Sequence, residues 1–201
     1  DKNTNAKAIM NIHILGNSSN IDKIHKLAKS KKMFLIEDTC EALGSKFKSK
    51  YLGTFGDFGT YSFYYSHQIT SGEGGMIVCK TKEDYDLLYT MRSHGWDRGL
   101  KKSKNKNDFN FVNSGFNLRP MDLTAAIGLS QIKRLKKMIN SRKKNRRSII
   151  NKIKSHKHWE NQFDFFYPNK KLEPSWFGLP LLINKKLSHK KERFIKYLNT
   201  N

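Results

Sequence analysis

The sequence predicts an α/β fold, and three consecutive segments near its beginning carry that prediction. Residues 7–15 form a short apolar stretch that ends in a Gly-Asn turn, as a strand does. In residues 20–31 apolar side chains recur at helical spacing, and Asn20 stands where an N-cap is expected. Residues 33–36 are continuously apolar, which is typical of a parallel strand buried on both faces. A strand, a helix and a second strand with short links imply parallel neighbours joined by a right-handed crossover.

Later segments continue the alternation of strands and helices. Two strand-like segments flank a glycine-rich turn, and the helix that follows them has Thr81 as its expected cap. Pro120 suits the first turn of a further helix. The predicted elements are strands at 60–64, 76–79 and 174–183, helices at 81–93, 121–138 and 142–154, and a polar loop at 101–108.

The composition is that of a strongly basic but globular chain. Lys and Arg number 39 against 17 Asp and Glu, a net charge of +22, while hydrophobic residues make up 37%. The densest basic stretch, 133–157, also carries apolar residues at helical spacing, which favours a solvated helix face, and no named nucleic-acid-binding motif is present. Charge alone predicts non-specific adsorption to polyanions. A non-enzymatic basic binding protein therefore stays open as an alternative.

Membrane insertion and metal binding receive no support from the sequence. No run of about 18 apolar residues occurs, so no membrane-spanning helix is expected. The two cysteines, Cys40 and Cys79, lack C-x-x-C spacing, which predicts a reducing, cytoplasmic setting and no zinc or iron–sulfur framework. The one close histidine pair, His156 and His158, lies in a lysine-rich stretch without carboxylate or cysteine neighbours, so no metal site is expected there.

Polar side chains stand where the predicted strands end. Asp38 follows the strand at 33–36, and ligands of open α/β sheets bind beyond the carboxyl ends of strands, although a turn role is the alternative. Ser62 leads into the glycine-rich turn that contains His67, and glycines at 72, 74 and 75 permit close approach of the backbone to a ligand. This set suits a phosphorylated heteroaromatic cofactor, with Asp38 on a protonated ring nitrogen and Ser62 on the phosphate.

Seven motifs then follow one another in order between residues 7 and 183. They read HILGN, IEDTCEALGS, GTFGDFGTYSF, GEGGMIV, RSHGW, SGFNLRPMDLTAAIGLSQIKRL and SWFGLP. In these motifs the chain resembles the DegT/DnrJ/EryC1/StrS family of pyridoxal-phosphate-dependent nucleotide-sugar aminotransferases. The resemblance implies the aspartate-aminotransferase fold, fold type I. Residues 1–140 would form part of the cofactor-binding large domain, with a mostly parallel central sheet, and 141–201 the connecting helix and the beginning of the small C-terminal domain.

The resemblance also implies a cytoplasmic homodimer that uses pyridoxal 5'-phosphate or pyridoxamine 5'-phosphate, and it assigns roles to four polar residues. Asp38 matches the aspartate that pairs with the pyridinium nitrogen, and Ser62 matches the serine that binds the phosphate. Glu41 occupies a position beside the ring where many members have Gln or His. Asn117 matches an asparagine that reaches the phosphate across the dimer interface.

The chain departs from the family pattern at position 67. The aminotransferases have S-F-x-x-x-K, whose lysine links covalently to the cofactor, whereas here the same register ends in His67. No lysine occurs between Lys50 and Lys80. An imidazole has no primary amine and cannot form that link, but it takes and gives protons near neutral pH. His67 is therefore expected to keep the proton-transfer role of the lysine and to lose its covalent role.

This substitution is similar to the 3-dehydratase branch of the family. Members of that branch remove the C3 hydroxyl of nucleotide-linked 4-keto-6-deoxy sugars for O-antigen-type surface polysaccharides. The CDP-sugar type carries an iron–sulfur cluster, which needs more cysteines than the two present, so the GDP-sugar type with glutamate as amino donor fits better. A sugar aminotransferase that recruits a lysine from elsewhere is the alternative. Family members are longer, so the chain is expected to be a fragment that lacks their first phosphate-binding loop and stacking aromatic residue.

Overall fold

The structure, a computed structural model, describes residues 5–100 and 109–201, so the loop predicted at 101–108 lies outside the described residues. Within these ranges the strands form three sheets. The strands are β1 (Ala8–Ile12), β2 (Phe34–Asp38), β3 (Lys46–Phe47), β4 (Lys50–Tyr51), β5 (Phe58–Ser62), β6 (Gly75–Cys79), β7 (Phe163–Phe165), β8 (Leu172–Glu173) and β9 (Leu181–Ile183). The α-helices are α1 (Ile21–Ser30), α2 (Lys82–Met91), α3 (Asp122–Ile132), α4 (Leu135–Lys154) and α5 (Lys191–Thr200).

The central sheet has the strand order β1-β2-β5-β6. β1 and β2 are parallel, β2 and β5 are parallel, and only β6 runs antiparallel to its neighbour β5. Helix α1 connects β1 to β2, so the predicted strand–helix–strand unit is confirmed. Both predicted caps are also confirmed: Asn20 accepts from the N–H of Lys23 (3.4 Å) and Thr81 from that of Asp84 (3.0 Å).

The hydrophobic core lies on one face of this sheet, beneath α1. Ile21 of the helix and Leu35 of β2 are 0% and 1% exposed. Burial of each such side chain contributes about 1.5–3 kcal/mol, so this layer supplies much of the stability of the unit that carries the strand ends. The buried members are Ile21, Ala28, Leu35, Ala42, Phe47, Leu52, Phe55 and Leu172.

The opposite face of the central sheet is open in the described part of the chain. Met10 is 60% exposed, Phe34 is 59% exposed and Ile77 is 50% exposed. The prediction that residues 33–36 are buried on both faces is therefore wrong for this chain, because only the α1 side of β2 is covered. A parallel sheet is normally covered on both sides, so this apolar face is suited to burial by further polypeptide.

Two element boundaries also differ from the sequence prediction. The helix expected at 121–138 ends at Ile132, and α4 begins at Leu135 and continues through Asn140 and Ser141, where a break was expected. Those two residues are weak helix formers but not helix breakers, and packing overrides so small a preference. The strand expected at 174–183 is confined to its last three residues.

Local chemistry explains why the 174–183 segment is not a strand. Pro174 and Pro180 lack the N–H that a strand interior needs. Between them Trp176 adopts a left-handed backbone conformation with φ 52°. Upstream, β8 pairs with β3 rather than with later residues, and β7 pairs with β9.

The division into a large domain up to 140 and a small domain after it stays a prediction. None of the helices in the described residues is long and apolar enough to span a membrane.

Candidate active site

Asp38 and Ser62 lie on the same face of the central sheet, at its carboxyl edge. The register pairs Asp38 of β2 with Thr60 of β5, and Ser62 follows two residues later, so alternation directs both side chains to the open face. Asp38 Oδ1 accepts a hydrogen bond from the backbone N–H of Cys40 (3.1 Å), and Ser62 Oγ accepts one from the N–H of Tyr64 (3.2 Å). Two of the predicted cofactor residues are therefore brought together.

Glu37 points from β2 into the opposite face and is completely buried. One carboxylate oxygen accepts from His13 Nε2 (2.9 Å) and the N–H of Gly53 (2.8 Å), and the other accepts from the N–H groups of Phe55 and Gly56 (2.6 Å each). Burial opposes ionisation of this carboxyl, but the hydrogen bonds outweigh it and leave the pKa of Glu37 below its usual value. The buried carboxylate thus fixes the loop that leads into β5.

Two further groups near the strand ends are held in their neutral forms. Burial, with a smaller contribution from the charge of Glu37, raises the pKa of Tyr61 to about 12, and its phenol donates to the carbonyl of Leu52 (2.7 Å). Burial and the neighbouring Asp38 raise the pKa of the Cys40 thiol. Asp38 therefore has a protonated thiol beside it rather than a second negative charge.

His67 lies in the loop between β5 and β6. Its backbone N–H donates to the carbonyl of Tyr64 (3.1 Å), and the N–H of Phe63 donates to the carbonyl of Gly74 (2.9 Å), so the main chain defines this turn. The imidazole is flanked by the rings of Phe177, at 5.2 Å between centroids, and Tyr64, at 6.2 Å. Its Nδ1 is buried and has no hydrogen-bond partner among the described residues.

The glycine-rich turn leaves space beside this histidine. Gly72 has φ +87°, a conformation that side chains rarely adopt, and a Cβ built on it would meet no atom within 4 Å. Gly74 has φ +137°. The predicted close approach of a ligand to the backbone is therefore sterically open at Gly72.

Glu41 has a structural partner in addition to its predicted role. Its carboxylate accepts from the N–H of Leu15 (2.6 Å), and its backbone carbonyl accepts from the buried side chain of Gln68. Gln68 also donates to Ser175 Oγ (3.2 Å), so the residue next to His67 is tied to two other segments. The placement of Glu41 beside a cofactor ring stays a prediction.

Asn117 is exposed and forms an isolated backbone bridge with Ser93. Within the described residues no hydrogen bond or ion pair joins it to Asp38, Ser62 or His67. That separation is compatible with action on a second copy, and its cross-subunit role stays a prediction.

Ser93, the bridge partner of Asn117, lines a concavity of about 260 Å³. The sequence analysis did not predict this concavity. The guanidinium of Arg92 lies over the ring of Tyr89 (4.3 Å) and that of Arg98 over Trp96 (5.0 Å). Among the described residues three arginines and no carboxylate-bearing residue line it, which suits an anion with an attached aromatic group. The lining residues are Tyr89, Arg92, Ser93, Trp96, Arg98 and Arg119.

A larger concavity, of about 490 Å³, contains none of the predicted site residues. It lies on the basic surface around α4, where the composition predicts polyanion adsorption. In residues 5–100 and 109–201 no group of three or more His, Cys, Asp or Glu side chains is placed to hold a metal ion. The lining residues of the larger concavity are Lys133, Lys136, Lys137, Asn140, Ser141 and Lys144.

Known proteins match both the sequence and the fold. GDP-4-keto-6-deoxy-D-mannose 3-dehydratase from Escherichia coli O55:H7 is 38% identical over 205 residues, which cover 96% of this chain and 51% of that protein. A solved structure of the E. coli enzyme with bound hydrated pyridoxal phosphate aligns with TM-score 0.85 and 38% identity, over 97% of this chain and 51% of that one.

A second solved structure is a histidine-to-asparagine mutant of GDP-4-keto-6-deoxymannose-3-dehydratase with bound GDP-perosamine. It aligns with TM-score 0.88 and 36% identity, over 98% of this chain and 52% of that one. The chain thus spans about half the length of the relatives it matches. These neighbours confirm the expected fold type I. The profile of the DegT/DnrJ/EryC1/StrS aminotransferase family matches residues 2–201, and the chain belongs to that family.

Proposed function

We propose that the protein carrying this chain removes the C3 hydroxyl of a GDP-linked 4-keto-6-deoxy sugar in O-antigen-type polysaccharide synthesis, with pyridoxal phosphate as cofactor. The observation that carries this proposal is His67, a residue without a primary amine at the position where the family's aminotransferases have their lysine. The similarity to 3-dehydratases over 96% of the chain supports it. Glutamate would supply the two electrons: its oxidation to 2-oxoglutarate and ammonium balances replacement of C3–OH by C3–H.

The residues present fit the cofactor. Asp38 and Ser62 offer a carboxylate and a hydroxyl on one sheet face, and Gly72 leaves open space next to the turn of His67. Asp38 would bind the protonated ring nitrogen, Ser62 the phosphate and Glu41 the ring edge, with Asn117 of a second copy as a further phosphate ligand. When bound, pyridoxal phosphate supplies an electrophilic carbon and a ring that withdraws electrons from the carbon attached to it.

Each side chain then has a limited task. The Asp38 carboxylate would keep the ring nitrogen protonated, and the Cys40 thiol beside it, whose pKa is raised by burial and by Asp38, adds no second anion there. The imidazole of His67 takes a proton and returns it, a role typically worth about 10²–10⁴ in rate. Because His67 cannot hold the cofactor covalently, retention depends on the non-covalent contacts of Asp38, Ser62 and Asn117.

The arginine-lined concavity supports a nucleoside-diphosphate substrate. Arg92, Arg98 and Arg119 suit a diphosphate, and aromatic rings in the same cavity suit a base. Ser93 lines this cavity and forms a backbone bridge with Asn117. In a homodimer in which Asn117 of one copy contacts the cofactor of the other, the cavity would therefore lie next to that same cofactor. Sugar nucleotides and glutamate are cytoplasmic metabolites, and the two free cysteines suit that compartment.

The test incubates the enzyme with pyridoxal phosphate, glutamate and GDP-4-keto-6-deoxymannose and identifies the product by mass. A 3-deoxy sugar is expected from the wild type, none from His67→Asn, and an unchanged yield from the exposed control His156→Asn. Borohydride should leave no cofactor attached in the wild type and should attach it in His67→Lys. A 4-amino sugar as sole product, with covalent trapping in the wild type, would instead establish an aminotransferase that uses another lysine.

A further inference from the structure

The imidazole of His67 is oriented by aromatic packing rather than by a hydrogen bond in the described structure. Phe177 lies 5.2 Å from it with 37° between the ring planes, and Tyr64 lies 6.2 Å away at 66°. Such pairs contribute about 0.5–1.5 kcal/mol beyond the burial of their surface. Histidines that transfer protons commonly have one ring nitrogen fixed by a hydrogen bond, and here Nδ1 is buried without one.

Phe177 is itself held by a long side chain from another element. Arg142 of α4 donates from one nitrogen to the backbone carbonyls of Phe177 (2.8 Å) and Trp176 (3.2 Å). Its guanidinium lies 5.8 Å from the centre of the Phe177 ring. The N–H of Phe177 donates to the carbonyl of Leu15 (3.0 Å), which holds the same residue from the other side.

The backbone conformation at Trp176 is unfavourable, and several contacts offset it. Its φ of 52° places a bulky residue in the left-handed region, which costs about 1–2 kcal/mol. The indole is 7% exposed, and the guanidinium of Arg146 lies 4.0 Å from its ring centre. The preceding residue, Ser175, is fully buried and accepts from Gln68, the neighbour of His67 (3.2 Å). The segment 175–177 and the turn of His67 are thus packed as one unit.

We propose that Phe177, held in place by Arg142, is a positioning residue that fixes the His67 imidazole plane, so that Nδ1 stays inside the protein and Nε2 transfers the proton. This inference rests on the proposed function only for the role of the proton. The contact itself stands on the geometry of Phe177, Arg142 and His67.

The first test is spectroscopic and needs no turnover. In enzyme labelled with ¹³C-histidine, the ring protons of His67 should show a nuclear Overhauser effect to Phe177 and a chemical shift displaced by its ring current. Phe177→Leu should move those resonances towards the shifts of exposed histidines. The matched control is Phe163→Leu, which removes an equally packed pair, Phe163 and Phe194 at 5.1 Å and 44°, and should leave His67 unchanged.

The second test separates positioning from binding. With cofactor and sugar substrate, Phe177→Leu should lower kcat about ten- to a hundredfold with little change in KM, because misplacement of about 1 Å in a catalytic group costs on that order. Phe177→Tyr, which keeps the ring, should restore most of the rate. Arg142→Lys, which leaves the aromatic contact intact but weakens its support, should give an intermediate shift of the His67 resonances.

Absence of the Overhauser effect in the wild type would overturn the inference without any variant. So would His67 resonances that are unmoved in Phe177→Leu, or that move equally in Phe163→Leu. An enzyme that makes an amino sugar but shows the Phe177 signature would refute the proposed function and leave the contact intact. A working 3-dehydratase whose kcat is unaffected by Phe177→Leu would support the proposed function and refute the positioning role of Phe177.

Discussion

Replacement of Glu37 by Gln changes one buried atom and tests how the candidate site is supported. The carboxylate accepts four hydrogen bonds, three of them from backbone N–H groups of the loop at 53–56. An amide retains a single acceptor oxygen, which can still serve Phe55 and Gly56, but its NH₂ group then faces the N–H of Gly53. The orphaned N–H costs about 1–3 kcal/mol, and loss of the charge weakens each remaining bond by about 1 kcal/mol. The expected destabilisation of Glu37→Gln is therefore about 3–5 kcal/mol.

The measurement is urea unfolding at pH 7, followed by tryptophan fluorescence and circular dichroism. A matched control is Asp57→Asn, since the Asp57 carboxylate accepts from one backbone N–H, that of Leu35 (2.8 Å), and is more exposed. The control should lose about 1 kcal/mol. A loss below about 1 kcal/mol in Glu37→Gln, or one equal to that of Asp57→Asn, would refute the view that this carboxylate organises the loop.

Three other outcomes are expected. Because the pKa of Glu37 is lowered on folding, its stabilisation is present above its usual value of 4.5 and is lost as acid approaches the folded pKa, so the difference between wild type and Glu37→Gln should shrink in acid titrations of urea unfolding. Gly59→Ala should lower the free energy of unfolding by about 3 kcal/mol or more, since a Cβ there overlaps the Gly53 carbonyl. Gly72→Ala should lower it by only about 1–2 kcal/mol, from backbone strain, because the space around Gly72 is open. Midpoints of urea unfolding check both values. Asn117→Ala should weaken cofactor binding in a spectrophotometric titration without lowering the unfolding midpoint, and full affinity in a proven monomer would contradict its cross-subunit role.

The sequence predicted those structural features that depend on residues close together in the chain. The β1–α1–β2 unit follows from apolar spacing and from caps that act within three residues, as at Asn20 and Thr81. The sequence also indicated that Asp38 lies at a strand end and Ser62 in a strand that leads to the glycine-rich turn, whereas the face that they share follows from the register of β2 and β5.

Contacts between distant residues could not be predicted in this way. His13, directly after β1, and Glu37 of the neighbouring strand β2 are paired, and nothing in either segment alone distinguishes the fully buried Glu37 from the half-buried Asp38 beside it. The arginine-lined concavity combines residues from the RSHGW and GFNLR segments, whose proximity depends on the bridge between Ser93 and Asn117. The prolines at 174 and 180 argue against a strand between them, and the structure has none there. The sequence prediction of a strand gave more weight to the apolar residues of this segment than to its prolines.

The turn between β5 and β6 has a consequence for substitutions at position 67. Its path is set by main-chain hydrogen bonds, such as Phe63 to Gly74 and His67 to Tyr64, and by glycine conformations rather than by the side chain at position 67. Exchange of lysine and histidine there leaves those main-chain bonds in place, so the path of the turn does not depend on which of the two residues is present. The side chain at position 67 contributes to stability only through its own packing, against Phe177 and Tyr64 in the case of histidine. A change of residue at this position can therefore alter the chemistry that the turn presents without rebuilding the turn itself.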